Sequence, residues 1–233
     1  MFDLDDLVIR EPRPLPVLIL VDTSGSMLGT KMDKVNAALH EMISTLSNLE
    51  NTRGKIQVSI ITFGGESKVI QPLCNIEDVH LKPMVASGKT PMGGAIELTL
   101  DLLEDIEVIS KRTYTPMIVL LSDGLPTDLP AGTIRDEFDY YNWSPINRLR
   151  NSERGSKCIK MALGIGEDAD YKMLKTFIDD DRVPVIKAND VSTISKFFKW
   201  VTISVSVRSK SANPGSTLDI PFEAEFDLEE LVF

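Results

Sequence analysis

The chain opens its ordered pattern with Val17–Val21, a continuous apolar run of the kind a parallel strand shows when both of its faces are covered. Apolar residues then recur at Met32, Val35, Leu39, Met42, Leu46 and Leu49. Steps of three and four place these on one stripe of a helix. Ile56–Phe63 and Lys68–Leu73 read as two further strands, joined through Gly64-Gly65-Glu66. That link is too short for a crossover, so the pair is expected to be an antiparallel hairpin. Pro91 opens a helix expected to reach about Val108, proline being favoured in the first turn. Met117–Leu121 is a second fully apolar strand, followed by a long segment, 124–143, and helical signals to about Arg154. Cys158–Ile165 reads as a strand, Ala169–Ile178 as a helix and Val183–Ile186 as a short strand. Asn189 or Asp190 is placed to cap a last helix over about 190–204, with Ile194, Phe197, Phe198 and Val201 facing the core.

Strands alternating with helices imply an α/β fold: a Rossmann-like, doubly wound, mostly parallel sheet with one antiparallel edge strand and helices on both faces. In such sheets ligands bind outside the carboxyl ends of the strands, near a switch in strand order. The expected organisation is an extended lead-in over 1–13, one domain over 14–207 and a tail over 208–233. The tail is acidic and carries Ile220, Phe222, Phe226, Leu228, Leu231 and Phe233. An added edge strand, docking on the core and binding of something else are all open readings for it.

Three oxygen-rich loops stand where that rule points. Asp22-Thr-Ser24-Gly-Ser26 directly follows the first strand, and alternate residues of an extended turn can point the same way. Asp123-Gly124 follows the Met117–Leu121 strand, and Ser87-Gly88-Lys89-Thr90-Pro91 leads into a helix. Two carboxylates and three hydroxyls without His or Cys suit a hard cation such as Mg²⁺, with Mn²⁺ or Ca²⁺ as alternatives, rather than zinc or copper.

Other readings of these loops fit less well. A phosphate loop built on Gly88-Lys89-Thr90 would need glycine where Pro83 stands. A calcium helix-loop-helix starting at Asp22 would need glycine where Met27 stands, and a helix instead of a strand before it. No Gly-x-Ser-x-Gly elbow occurs, and His40 and His80 belong to no catalytic motif. The chain is therefore expected not to be an enzyme.

In order and in their elements, Asp22-x-Ser24-x-Ser26, Thr90 and Asp123-Gly124 resemble the metal-ion-dependent adhesion site of the von Willebrand factor A family. The resemblance covers about residues 14–205. It implies that Ser24, Ser26 and Thr90 ligate the metal directly, that Asp22 and Asp123 act largely through water, and that a partner protein's acidic side chain completes the shell. The stretch Ser87–Ile96 is similar to the stand-alone A-domain proteins of bacterial tellurium-resistance clusters. This implies a stress-response assembly whose partners include a kinase or phosphatase of the same cluster. The alternatives within the family are a metal-dependent hydrolase and a subunit working with a ring ATPase.

Composition adjusts this picture modestly. With 233 residues, 42% hydrophobic and 26% charged, the chain is long enough for one well-buried core. A net charge of −10 disfavours nucleic acid or an anionic membrane surface as partner. Met1–Arg10 lacks a basic start followed by an apolar stretch, and no run approaches the roughly 18 apolar residues of a membrane span, so a cytoplasmic location is expected. The two cysteines, Cys74 and Cys158, leave a disulfide open on count alone. Phe138, Tyr140, Tyr141 and Trp143 either pack the following helix on the core or form an apolar patch near the rim of the site.

Overall fold

The computed structural model describes residues 12–50, 52–134, 137–211 and 225–233. Most of the expected lead-in (1–11) and residues 212–224 of the tail, with Ile220 and Phe222, lie outside the described residues.

Seven strands form one sheet: β1 (Arg13–Asp22), β2 (Gly54–Gly64), β3 (Glu66–Asn75), β4 (Met117–Ser122), β5 (Ile159–Ile165), β6 (Val185–Ala188) and β7 (Leu231–Val232). Their order is β3-β2-β1-β4-β5-β6-β7. The five from β2 to β6 run parallel, and β3 is antiparallel at one edge, as the short Gly64–Glu66 link requires. A second antiparallel edge, β7 on β6, comes from the end of the tail.

Five helices cover the sheet: α1 (Thr30–Ser47), α2 (Met92–Glu104), α3 (Ser144–Asn151), α4 (Tyr171–Ile178) and α5 (Val191–Lys210). The continuous apolar run of β1 is divided between two cores. Leu15, Val17, Ile19 and Val21 pack with the buried stripes of α1 and α5, while Leu18 and Leu20 pack with α2, α3 and α4. Burial on both faces is why this strand has no alternation to read.

Three helix ends differ from the sequence expectation. α2 stops at Glu104, short of Val108, because Asp105 accepts the N–H of Glu107 and its carbonyl accepts the N–H of Ile109. An aspartate that bonds its own backbone competes with helix continuation, and the turn it makes delivers Ile109 to the core. α3 ends at Asn151, before the expected Arg154, and a short turn of 3-10 helix, Gly155–Lys157, leads into β5. α5 runs to Lys210, because Val205, Arg208 and Ser209 are buried and continue its inward face. At its start Asp190, not Asn189, caps the helix by accepting the N–H groups of Ser192 and Thr193.

The aromatics of 138–143 divide. Tyr140 and Trp143 are buried with α2, α3 and α4, and Tyr140 donates its hydroxyl to Asp170, which caps α4. Tyr141 is exposed, with Arg150 stacked 4.3 Å from its ring centroid. Cys74 and Cys158 are both free.

Candidate metal centre

The strand order reverses at β1. The chain leaves β1 for β2 on one side and later returns to β4 on the other, so the carboxyl ends of β1 and β4 form the switch point. Register puts Val21 opposite Leu121, so the next residues, Asp22 and Ser122, lie side by side. Ser122 Oγ donates to Asp22 Oδ2 at 2.5 Å, and the backbone N–H of Ser24 donates to Asp22 Oδ1 at 2.8 Å. Both oxygens of this buried carboxylate are thereby fixed.

The turn after β1 carries the serines outward. Ser24 Oγ and Ser26 Oγ stand 3.0 Å apart and share a hydrogen bond. Ser26 Oγ donates to Asp123 Oδ1 at 2.6 Å, and Lys31 Nζ, from the first turn of α1, lies 2.6 Å from Asp123 Oδ2. Ser24 is buried and Ser26 exposed, so the set runs from the sheet end to the surface. Thr90 approaches from the opposite side. A Cβ built on Gly124 would lie 3.7 Å from Thr90 Oγ1 and 3.8 Å from Ser26 Oγ, so both hydroxyls flank the same point.

The loop bearing Thr90 is anchored from two directions. Gly25 N donates to Gly88 O at 3.0 Å, Ser87 N to Thr23 O at 2.7 Å and Gly65 N to Lys89 O at 2.8 Å. Gly88 has φ +78, and a Cβ there would fall 2.6 Å from Gly65, so a side chain is excluded by conformation and by space. On the other side Thr90 N donates to Thr127 Oγ1 at 3.0 Å and Thr127 N to Thr90 O at 2.9 Å. Asp128 accepts the N–H groups of Gly93 and Gly94 at the start of α2, fixing the helix that follows Thr90.

All five residues singled out from the sequence thus stand at one sheet end: Asp22, Ser24, Ser26 and Asp123 in one hydrogen-bonded chain, Thr90 across Gly124 from it. Four contributors were missed. Ser122, Thr127 and Asp128 lie in the same Ser-Asp-Gly-Leu-Pro-Thr-Asp run as Asp123, a density of short polar residues after a strand that marks a loop held by its own side chains. Lys31 carries no local signal, since only the path of the Ser26–Thr30 turn brings it to Asp123.

Burial, the largest influence, raises the carboxyl of Asp22 above the ordinary aspartate range. Hydrogen bonds from Ser122 and Ser24 oppose that rise, and the neighbouring charge of Asp123 adds to it. Two carboxylates taken out of water side by side call for positive charge. Lys31, 35% exposed in its side chain, supplies one unit. The donor set is rich in hydroxyls: among the described residues no group of three or more His, Cys, Asp or Glu side chains is placed to hold a metal. Two carboxylates with three hydroxyls, opening to solvent at Ser26, fit a hard cation that keeps water or an outside oxygen in part of its shell.

Residues 17–125 match the family model for the von Willebrand factor type A domain. The chain is 27% identical over 173 residues to inter-alpha-trypsin inhibitor heavy chain H4 of Bos taurus, an alignment covering 70% of this chain and 17% of that protein. It is 24% identical over 140 residues to the voltage-dependent calcium channel subunit alpha-2/delta-2 of Homo sapiens, covering 56% and 11%. The chain therefore spans less than a fifth of the length of these curated relatives. In three dimensions it is similar to a von Willebrand factor type A structure from Catenulispora acidiphila, with TM-score 0.61 and 18% identity over 83% of this chain and 43% of that one. It is also similar to the vWF domain of the type V pili tip protein Mfa5 from Porphyromonas gingivalis, with TM-score 0.61 and 11% identity over 90% and 99%. The sheet order and these matches agree on the fold, which is that of von Willebrand factor type A structures, and residues 17–125 are similar to that family's domain.

Proposed function

We propose that the chain is a non-catalytic protein-binding module that holds one divalent cation, Mg²⁺ in the first instance, at the switch point and uses it to capture a carboxylate of a partner protein. The observation that carries this reading is the hydrogen-bonded row Asp22–Ser24–Ser26–Asp123, which joins two buried carboxylates through the exposed hydroxyl of Ser26, across Gly124 from Thr90. Ser24, Ser26 and Thr90 are the direct ligands in this proposal, with Asp22 and Asp123 contributing through water. The bound ion supplies a local positive charge that attracts an anionic oxygen.

The chain's own residues do the rest. Ser122 and the Ser24 N–H hold Asp22 in one orientation, so its charge is not free to turn away. The Thr127 and Gly88 contacts keep Thr90 in place without the ion. In a protein of net charge −10, an acidic partner is repelled by most of the surface and gains only where positive charge is concentrated. Position then selects the docking carboxylate.

A cytoplasmic setting belongs to the same proposal, and two free cysteines accord with a reducing compartment. The tellurium-resistance assembly, with a kinase or phosphatase as partner, rests on the likeness of Ser87–Ile96 and is its most specific form.

The deciding experiment is thermal melting. An ion that binds only the folded protein raises Tm as its concentration passes Kd, by about 2.7 kcal/mol of stability at a hundredfold excess. Wild type is expected to respond to Mg²⁺ or Mn²⁺, while Asp22→Ala and Thr90→Ala show little response. A wild-type curve that ions leave unmoved, or an Asp22→Ala protein that responds equally, removes the metal from the reading.

A further inference from the structure

A cleft of about 610 Å³ lies beside the switch point, between the hairpin of β2 and β3 and the extended segment that returns from β3 to Thr90. Its size is within the range of about 300–1,000 Å³ that ligand clefts occupy. It is next to the candidate metal centre along the chain. Thr23, between Asp22 and Ser24, lines one end together with Ser87, whose N–H is bonded to the Thr23 carbonyl.

The lining is of two kinds. Ile70, Leu81, Met84 and Val85 contribute apolar surface, and Val85 is 79% exposed among the described residues. Lys68 and Lys82 contribute cationic groups and His80 an imidazole, and among the described residues no Asp or Glu lines the cleft. Chain-wide, acids outnumber Lys and Arg by 35 to 25, so this wall has the opposite sign from the molecule as a whole. Glu66 meets Lys68 at 3.4 Å between two exposed side chains, a pairing of small worth. The edge of β3 beside the cleft carries Pro72, which cannot donate to an added strand, so the side-chain lining rather than backbone pairing is what the cleft offers.

We infer that this cleft is a second docking point for the protein partner: it takes an extended acidic segment with apolar side chains, continuous with the stretch whose carboxylate meets the cation. The inference rests on the proposed metal-dependent capture for its partner, but the cleft's own chemistry does not use the ion. Acidic side chains of the segment face Lys68 and Lys82, and its apolar side chains lie on Ile70, Met84 and Val85. Specificity thus comes from a segment, while the ion reads one oxygen.

The test uses a short fluorescein-labelled peptide of alternating glutamate and leucine, and the same peptide with lysine for glutamate, followed by anisotropy at about 0.15 M salt, where only close charges count. Each is measured in EDTA and in Mg²⁺. Wild type is expected to bind the glutamate peptide in EDTA and to prefer it over the lysine peptide. Lys68→Glu with Lys82→Glu is expected to raise Kd about tenfold or more in both conditions, about 1.4 kcal/mol. Val85→Asp is expected to weaken binding in the same way, while Lys55→Glu with Lys111→Glu, at the opposite end of the sheet, changes Kd by less than about twofold. Melting curves check that each variant is folded. Equal binding of the two peptides, no binding by wild type, or indifference of Kd to the Lys68/Lys82 reversal overturns the cleft. Asp22→Ala separates the two ideas, because it is expected to abolish only the extra affinity that Mg²⁺ brings. If wild type shows no such extra affinity while the charge reversal still weakens binding, the metal reading fails and the cleft stands.

Discussion

Ser122 and Lys31 act on the two carboxylates of the site in opposite ways. Ser122 Oγ satisfies Asp22 Oδ2 inside the sheet, where nothing else replaces it. Ser122→Ala is expected to lower unfolding free energy by about 1–3 kcal/mol, the cost of leaving a buried acceptor unmet, and urea unfolding in EDTA measures it. Lys31 is more exposed and shares Asp123 with Ser26. A fixed positive charge so near a divalent ion opposes it by Coulomb repulsion, so Lys31→Met is expected to tighten Mg²⁺ binding by about threefold to tenfold. The shift of Tm against Mg²⁺ concentration reads that change. Weaker binding in Lys31→Met would mean that the ammonium serves chiefly to orient Asp123. Neither residue stood out in the sequence, because a serine in an apolar strand and a lysine at a helix start are ordinary. The five oxygen-bearing residues did stand out, because each falls at a strand end or a helix start where a side chain has no regular packing duty.

At the scale of elements, α5 and the last described residues form a unit. Phe226 packs edge-on against Trp200, with centroids 5.7 Å apart. Glu230 accepts the hydroxyl of Thr193 at 2.7 Å and pairs with Lys196, and β7 then joins β6. Phe226→Ala is expected to cost about 3 kcal/mol if the tail docks as tightly as an ordinary core element, measured by urea unfolding. The start of the same helix gives a pH signature. Hydrogen bonds from the Ser192 hydroxyl, and then from the N–H groups of Thr193 and Ser192, hold the Asp190 carboxyl below the ordinary aspartate range. A depressed folded pKa means that the stabilisation is present above the unfolded value of about 4 and is lost as pH falls through the folded value. Wild type should therefore lose more of its urea midpoint between neutral and acid pH than Asp190→Asn, which keeps an acceptor but cannot titrate there. The helices themselves were legible from their three- and four-residue spacing. Their ends were less so, since Asp105 stops α2 by a local turn and buried Arg208 and Ser209 prolong α5, and neither effect shows in periodicity.

For the whole molecule, the strand order decides what the loops can do. Without the reversal at β1, the loops of Asp22 and Asp123 would be separated by at least one strand, about 5 Å further apart for each strand inserted. The same topology sets the basic cleft beside the candidate metal centre. A partner that uses both should show two dependences: loss in EDTA, and loss in the Lys68/Lys82 charge reversal with Mg²⁺ present. The sequence alone determined the class of sheet, the antiparallel hairpin and the five oxygen-bearing residues, because apolar runs, a three-residue link and strand-end polar residues are local consequences of covalent spacing. Only the tertiary structure decided that Ser122, Thr127 and Lys31 join the five, that the last described residues add the second sheet edge, and that Lys68 and Lys82 line a cleft with no acid among the described residues. Those facts depend on which residues meet across the fold, and contacts between distant positions leave no periodic trace along a chain.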